Sequence, residues 1–153
     1  MPDRSELALQ LTDAIGAAYA AVQRAGDRAF RAYGLSHRAH AALVAVDQGG
    51  ADGARPMDIA AQLRVSRAAA TTFVQRLEAK GLVETTPDSE DERGVRVTLT
   101  RHGLDVLLRA GQLERRLAAR AIEGLPASSI GRTVHVLGEF DRRLAEKQIG
   151  VVR

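Results

Sequence analysis

Apolar residues recur at spacings of three and four through residues 5–33: Leu7, Leu11, Ile15, Ala18, Val22, Ala25, Ala29 and Tyr33. That period places them on one stripe of a long helix. Ser5 is the expected N-cap and Gly34 the expected stop. Ser36 offers a second N-cap, for a helix of about ten residues with Leu43 and Val46 inward. The run GGADGARP at 49–56 reads as a loop, closed by Pro56. A short helix is predicted over 57–63, with Ile59, Ala60 and Leu63 inward, and Arg64-Val65 as a turn. Ser66 then caps a helix over 67–80, where Ala70, Phe73, Val74 and Leu77 fall at i, i+3, i+4 and i+7 and Gly81 ends the run.

The period next drops to two. Residues 82–86 and 95–99 alternate and are rich in Val and Thr, with the polar stretch PDSEDERG between them. This pattern predicts a hairpin with a charged tip. Helical spacing returns over 101–123, is broken at Gly124-Leu125-Pro126, and resumes over 127–147 with Ile130, Val134, Leu137, Phe140 and Leu144. The expected fold class is mainly α with one small β-hairpin wing.

Composition narrows the picture. A chain of 153 residues suits one domain or one subunit, and 45% apolar with 27% charged residues is the balance of a globular protein. With no cysteine, disulfides, thiolate nucleophiles and cysteine zinc sites are excluded. Aromatic residues are 3%, so the core must be aliphatic. No run approaches the ~20 apolar residues of a membrane span, and MPDRSELALQ lacks the pattern of a secretion signal. A cytoplasmic protein is the expectation. The stripe on 5–33 covers roughly 43 Å of helix, more than one small domain can cover. Either a second copy buries it together with the last helix, or the helices fold back as a monomeric bundle; the homodimer is favoured. On that reading residues 1–34 and 101–153 form a helical dimerisation region around a winged helix-turn-helix lobe at 35–100.

The formal charge of +3 only mildly favours an anionic partner, and residues 55–100 carry 7 basic and 7 acidic side chains. Placement matters more than the sum. A helix that enters a DNA groove must bury one face and present short polar or small side chains on the other. Helix 67–80 meets that demand: Arg67, Ala68, Thr71, Thr72, Gln75 and Arg76 lie opposite its apolar face. Its first turn, capped by Ser66, offers N–H groups to a phosphate. Arg93 and Arg96 add charge on the hairpin. Asp88, Glu90, Asp91 and Glu92 would repel DNA unless something orients them, and an Asp91–Arg93 pair is one way to stiffen the tip.

Together these residues resemble the MarR family of transcriptional regulators. YGLSHRAHAALVAV is similar to the opening of that family's second helix. MDIAAQLRVSRAAATTFVQRLEAKGLVE is similar to its helix-turn-helix, and DSEDERGVRVTLTRHG to its wing, where Asp91, Arg93, Leu99-Thr100 and Gly103 occupy the characteristic positions. The resemblance runs from Gly34 to about Gly103. It implies a homodimer on a roughly palindromic operator, and a recognition helix in the major groove with Arg67, Thr71, Thr72 and Gln75 at base edges. It also implies Ser66 and Arg76 on phosphates, Arg93 in the minor groove with Arg96 beside it, and Asp91 as wing support. Many members release DNA when a small molecule fills a cleft. Tyr33 and His40, the latter at a position often aromatic in the family, are the candidate effector contacts. Ala68-Ala69-Ala70 departs from the more polar helices common there, and leaves van der Waals contact alone at those positions.

Other readings are open to the same residues. His37 and His40 share a helix face, but a metal site needs further ligands, so no metal and no cofactor is expected. GGADGARP lacks the Gly-Lys-Ser/Thr ending of a phosphate loop, and no nucleophile–base pair stands out, which argues against an enzyme. A winged helix used for protein contact, or for nonspecific DNA binding without an effector, is the alternative.

Overall fold

The computed structural model describes residues 3–91 and 94–147. Its elements are α1 (Arg4–Phe30), α2 (His37–Asp47), α3 (Pro56–Leu63), α4 (Arg67–Glu78), β1 (Val83–Pro87), β2 (Val95–Leu99), α5 (Arg101–Ala121) and α6 (Ala127–Lys147). Short 3-10 turns at Arg31–Tyr33 and Gly50–Asp52 bridge α1 to α2 and α2 to α3. The described residues fall into two compact units, divided between Arg115 and Arg116.

Local chemistry sets most boundaries. Ser36 and Ser66 accept the Ala39 and Ala69 N–H groups at 3.1 and 3.2 Å, capping α2 and α4. Gly34 and Gly81 take φ of 66° and 67°, beyond the ends of the Arg31–Tyr33 turn and of α4, a backbone state open to Gly at little cost. The tight turn between α3 and α4 uses Arg64 itself at φ 52°, a conformation that costs a non-glycine residue roughly 1–2 kcal/mol. The helix-turn-helix must therefore be held by packing. One expectation shifts: α1 begins at Arg4 after Asp3, so Ser5 lies inside the first turn and is not the cap.

The core of the first unit gathers Phe30 and Leu35 with Leu43 and Val46 from α2, Ile59 from α3, Ala70, Val74 and Leu77 from α4, and Val83 and Val97 from the hairpin. Each large aliphatic or aromatic side chain buried here contributes about 1.5–3 kcal/mol. Phe73, expected on the inner face of its helix, is only half-buried.

The hairpin pairs antiparallel, with Val83 opposite Leu99 and Pro87 opposite Val95. A third segment joins it. Ala54 exchanges two backbone hydrogen bonds of 2.9 Å with Val97. The 49–56 stretch is thus part loop and part sheet edge, and Gly53 (φ 73°) passes so close to β2 that a Cβ would lie 2.9 Å from the Val97 carbonyl oxygen.

Leu99-Thr100 and Gly103 form the joint between wing and α5. The Thr100 hydroxyl donates to the Gly81 carbonyl at 2.7 Å and accepts the Gly103 N–H at 2.9 Å. A Cβ on Gly103 would sit 1.8 Å from the Leu82 carbonyl oxygen, so only glycine admits this approach. The sequence motif is a packing requirement.

Candidate nucleic-acid interface and ligand cleft

The faces of α4 divide cleanly. Ala70, Val74 and Leu77 are buried, while Arg67, Ala68, Thr71, Thr72, Gln75 and Arg76 are exposed. The structure therefore brings five of the expected contact residues onto one open face, with Ser66 at its N-terminal end. The Thr71 and Thr72 hydroxyls donate back to the Arg67 and Ala68 carbonyls at 3.0 and 3.1 Å. Their protons are spent, so toward a base they offer lone pairs and methyl groups. Lys80 Nζ donates to the Gly34 carbonyl, tying the end of α4 to the junction before α2. Arg76 and Lys80 line a small cavity of about 220 Å³ with Gly34, Ser36, Ala39, Phe73 and Leu77.

Arg93 lies outside the described residues, and so therefore does its pairing with Asp91. What orients the acids is a network at the wing's base. Asp88, 5% exposed, accepts Arg55 Nε at 2.8 Å and Arg96 Nε at 3.0 Å on one oxygen, and the Glu90 N–H at 3.0 Å on the other. Glu90 in turn accepts Arg55 Nη2 at 3.0 Å and Arg96 Nη2 at 3.2 Å. The Glu90 N–H lowers the Asp88 pKa most, against the cost of burial and helped by both guanidiniums. Arg55, hydrogen-bonded to that carboxylate, is held still more firmly charged.

Arg96 was expected at DNA beside Arg93. Its donors instead face Asp88, Glu90 and the Gly53 carbonyl, because two carboxylates within reach hold a guanidinium better than open solvent does. These contacts tie Arg96 into the base of the wing. Asp88 is a second acid that supports the wing, and the Asp91 carbonyl accepts the Gly94 N–H at 2.8 Å. The even balance of acids and bases in 55–100 was the one sequence signal that these charges are paired off. Their partners, from Arg55 to Arg96, come together only through the sheet.

The candidate cleft lies between α2, the end of α3 and α5. His37, His40, Ala41, Val44, Gln48, Gln62, Leu63 and Glu114 line a cavity of about 440 Å³. His40 is 2% exposed, its ring 4.5 Å from that of Phe30. Burial pushes its pKa down, and the opposing pull of the Glu114 carboxylate is smaller. Glu114 spans both imidazoles, 3.6 Å from His37 Nε2 and 3.6 Å from His40 Nδ1. Behind them Asp27 accepts the His37 backbone N–H at 2.7 Å, and Gly26 leaves room where a Cβ would meet the His37 ring at 2.3 Å. Tyr33 packs half-buried against the core and is not among the lining residues. Among the described residues no group of His, Asp and Glu is arranged to hold a metal ion, and no helix is long and apolar enough to cross a membrane. Glu114 had no signal in the sequence, because its partners sit on another helix.

Known proteins share this architecture. Residues 33–94 match the model of the MarR family. The HTH-type transcriptional repressor IacR of Pseudomonas putida is 34% identical over 67 residues, 44% of this chain and 40% of that protein, so the match spans about two fifths of its length. Among solved structures, the transcriptional regulator BldR from Sulfolobus solfataricus superposes with a TM-score of 0.82 at 26% identity, over 93% of this chain and 99% of that one. AbsC, a MarR family transcriptional regulator from Streptomyces coelicolor, gives 0.82 at 19% identity, over 95% and 98%. A mutant MarR from E. coli complexed with operator DNA gives 0.80 at 23% identity, over 91% and 99%. The last two establish the fold.

Proposed function

We propose that the chain, whose residues 33–94 match the MarR family model and which shares its fold with a solved transcriptional regulator at 26% identity, is a homodimeric, sequence-specific reader of double-stranded DNA. It acts in the cytoplasm as a repressor that a small molecule releases from a roughly palindromic operator. The observation that carries the reading is the division of α4, a capped helix with a packed face and an open face of Arg67, Thr71, Thr72, Gln75 and Arg76, set beside a braced wing.

In this reading α4 lies in the major groove. Arg67 and Gln75 donate to base edges, and Thr71 and Thr72 contribute acceptors and methyl contacts. Ser66 already accepts the Ala69 N–H, so its hydroxyl proton is free for a phosphate. Arg76 sits on the backbone and Arg93 reaches the minor groove. Residues 1–34 and 101–153 supply the dimer contacts, through apolar stripes that include exposed Leu7, Val22, Leu117, Ile122, Val134 and Leu144. Relatives support the DNA and repressor readings: one neighbour is solved with operator DNA and one relative is a repressor. The effector reading rests on the cleft around His40.

Selection from a randomised duplex pool at ~150 mM salt tests the proposal, since lower salt lets phosphate contacts mask base readout. An enriched palindrome with half-sites about one helical turn apart is expected. Absence of any enriched sequence would move the function to protein contact or nonspecific DNA binding.

A further inference from the structure

The cleft is an unusual place for an acid. Its lining holds two imidazoles, two carboxamides (Gln48 and Gln62), three apolar side chains and the Glu114 carboxylate, with no lysine or arginine. Glu114 is about half-exposed, and both of its oxygens stand 3.6 Å from imidazole nitrogens. That distance is too long for a hydrogen bond, so the carboxylate keeps strong acceptor sites on offer to an occupant. His40 is buried and is held toward its neutral form, and its Nε2, like Nδ1 of His37, finds no partner. Ala41, Val44 and Leu63 give the cavity an apolar wall, and about 440 Å³ is room for a small ring compound.

We propose that this cleft is selective for a small organic cation, a flat apolar body carrying an amidinium, guanidinium or ammonium head, which Glu114 receives while the body lies against Ala41, Val44 and Leu63. A carboxylate ligand would meet Glu114 with like charge and no lysine or arginine in the lining to offset it. The assignment rests on the reading of this cleft as an effector site. It adds the chemical class of the ligand and names Glu114 as the residue that sets it.

Three isosteric probes decide the matter on the unmodified protein. Benzamidine, benzamide and benzoate share one ring and differ in the charge of the head. Binding is followed at pH 8 by the NMR signals of the four histidines, with no DNA present. The expected order is benzamidine, then benzamide, then benzoate, with benzamidine binding about tenfold or more tightly than benzoate. The His37 and His40 signals should move, and those of exposed His102 and His135 should stay. In Glu114→Gln the preference should collapse to within about twofold. Equal or tighter binding of benzoate overturns the proposal, as does benzamidine selectivity that survives in Glu114→Gln, or shifts that miss His37 and His40. The wild-type order alone decides should the variant fail to fold. Operator binding is measured separately. Loss of sequence-specific DNA binding with intact cation selectivity would remove the regulator and keep the site; the reverse would remove the site and keep the regulator.

Discussion

The lobe from α2 to the hairpin and the terminal helix α6 solve the same problem of apolar surface in opposite ways. The lobe closes on itself: Leu43, Ile59, Leu77, Val83 and Val97 are all at most 2% exposed. In α6 no described residue is buried, and Val134, Leu137 and Leu144 are 65%, 38% and 50% exposed. Both stretches have regular apolar periodicity, so periodicity marks a face and does not say whether this chain covers it. The lobe reads as a finished fold. The stripe of α6 reads as half of one, and the proposed second copy supplies the other half.

The largest effect expected from breaking this contrast is at α6. The double substitution Val134→Glu, Leu137→Glu should convert the dimer to monomer in sedimentation and lower operator affinity by about a hundredfold or more, because two half-sites no longer bind as one. A dimer that persists at micromolar concentration would place the interface elsewhere. Within the first unit, Gly103→Ala should cost at least ~3 kcal/mol in denaturant unfolding, since backbone blocks the new methyl. Gly111→Ala in the same helix, whose Cβ would approach nothing nearer than the end of Arg115 at 3.9 Å, should gain about 0.5–1 kcal/mol. Equal effects would mean that wing and helix do not meet as described.

The wing network gives the next step down. Asp88→Asn should weaken operator binding roughly tenfold while leaving the salt dependence unchanged, because it removes bracing and no phosphate contact. A change of slope by about one ion on Arg96→Ala would put Arg96 back on the DNA backbone. The Asp88 carboxyl has a lowered pKa in the folded state, so its stabilisation is present above its ordinary value of 3.8 and is lost as pH falls through the lower, folded value. Asp88→Asn should flatten that acid limb of the melting profile.

The smallest effect belongs to His40. Its folded pKa lies below the ordinary 6.5, so the native state binds fewer protons than the unfolded chain. Stability should fall as pH drops below 6.5 toward the folded value, and His40→Phe should remove that slope in thermal melts. A slope unchanged in the variant would assign the effect to another group.

Local order in this protein was legible from residues alone. Ser36 and Ser66 had to cap helices, Gly34 and Gly81 had to end structure, and period-two alternation had to give a hairpin, because each rests on chemistry within a few residues. The open face of α4 was legible for the same reason: one helix's spacing separates its buried and exposed sides. The rest depended on which segments meet. Ala54 joins the sheet although its stretch is glycine-rich. Gly103 is required by a carbonyl that belongs to Leu82. Asp88 is held from Arg55 and Arg96 at once, and Glu114 faces two histidines from another helix. Short-range periodicity and capping are properties of consecutive residues, whereas these contacts are made by backbone close approach and by charges brought together only when the core forms.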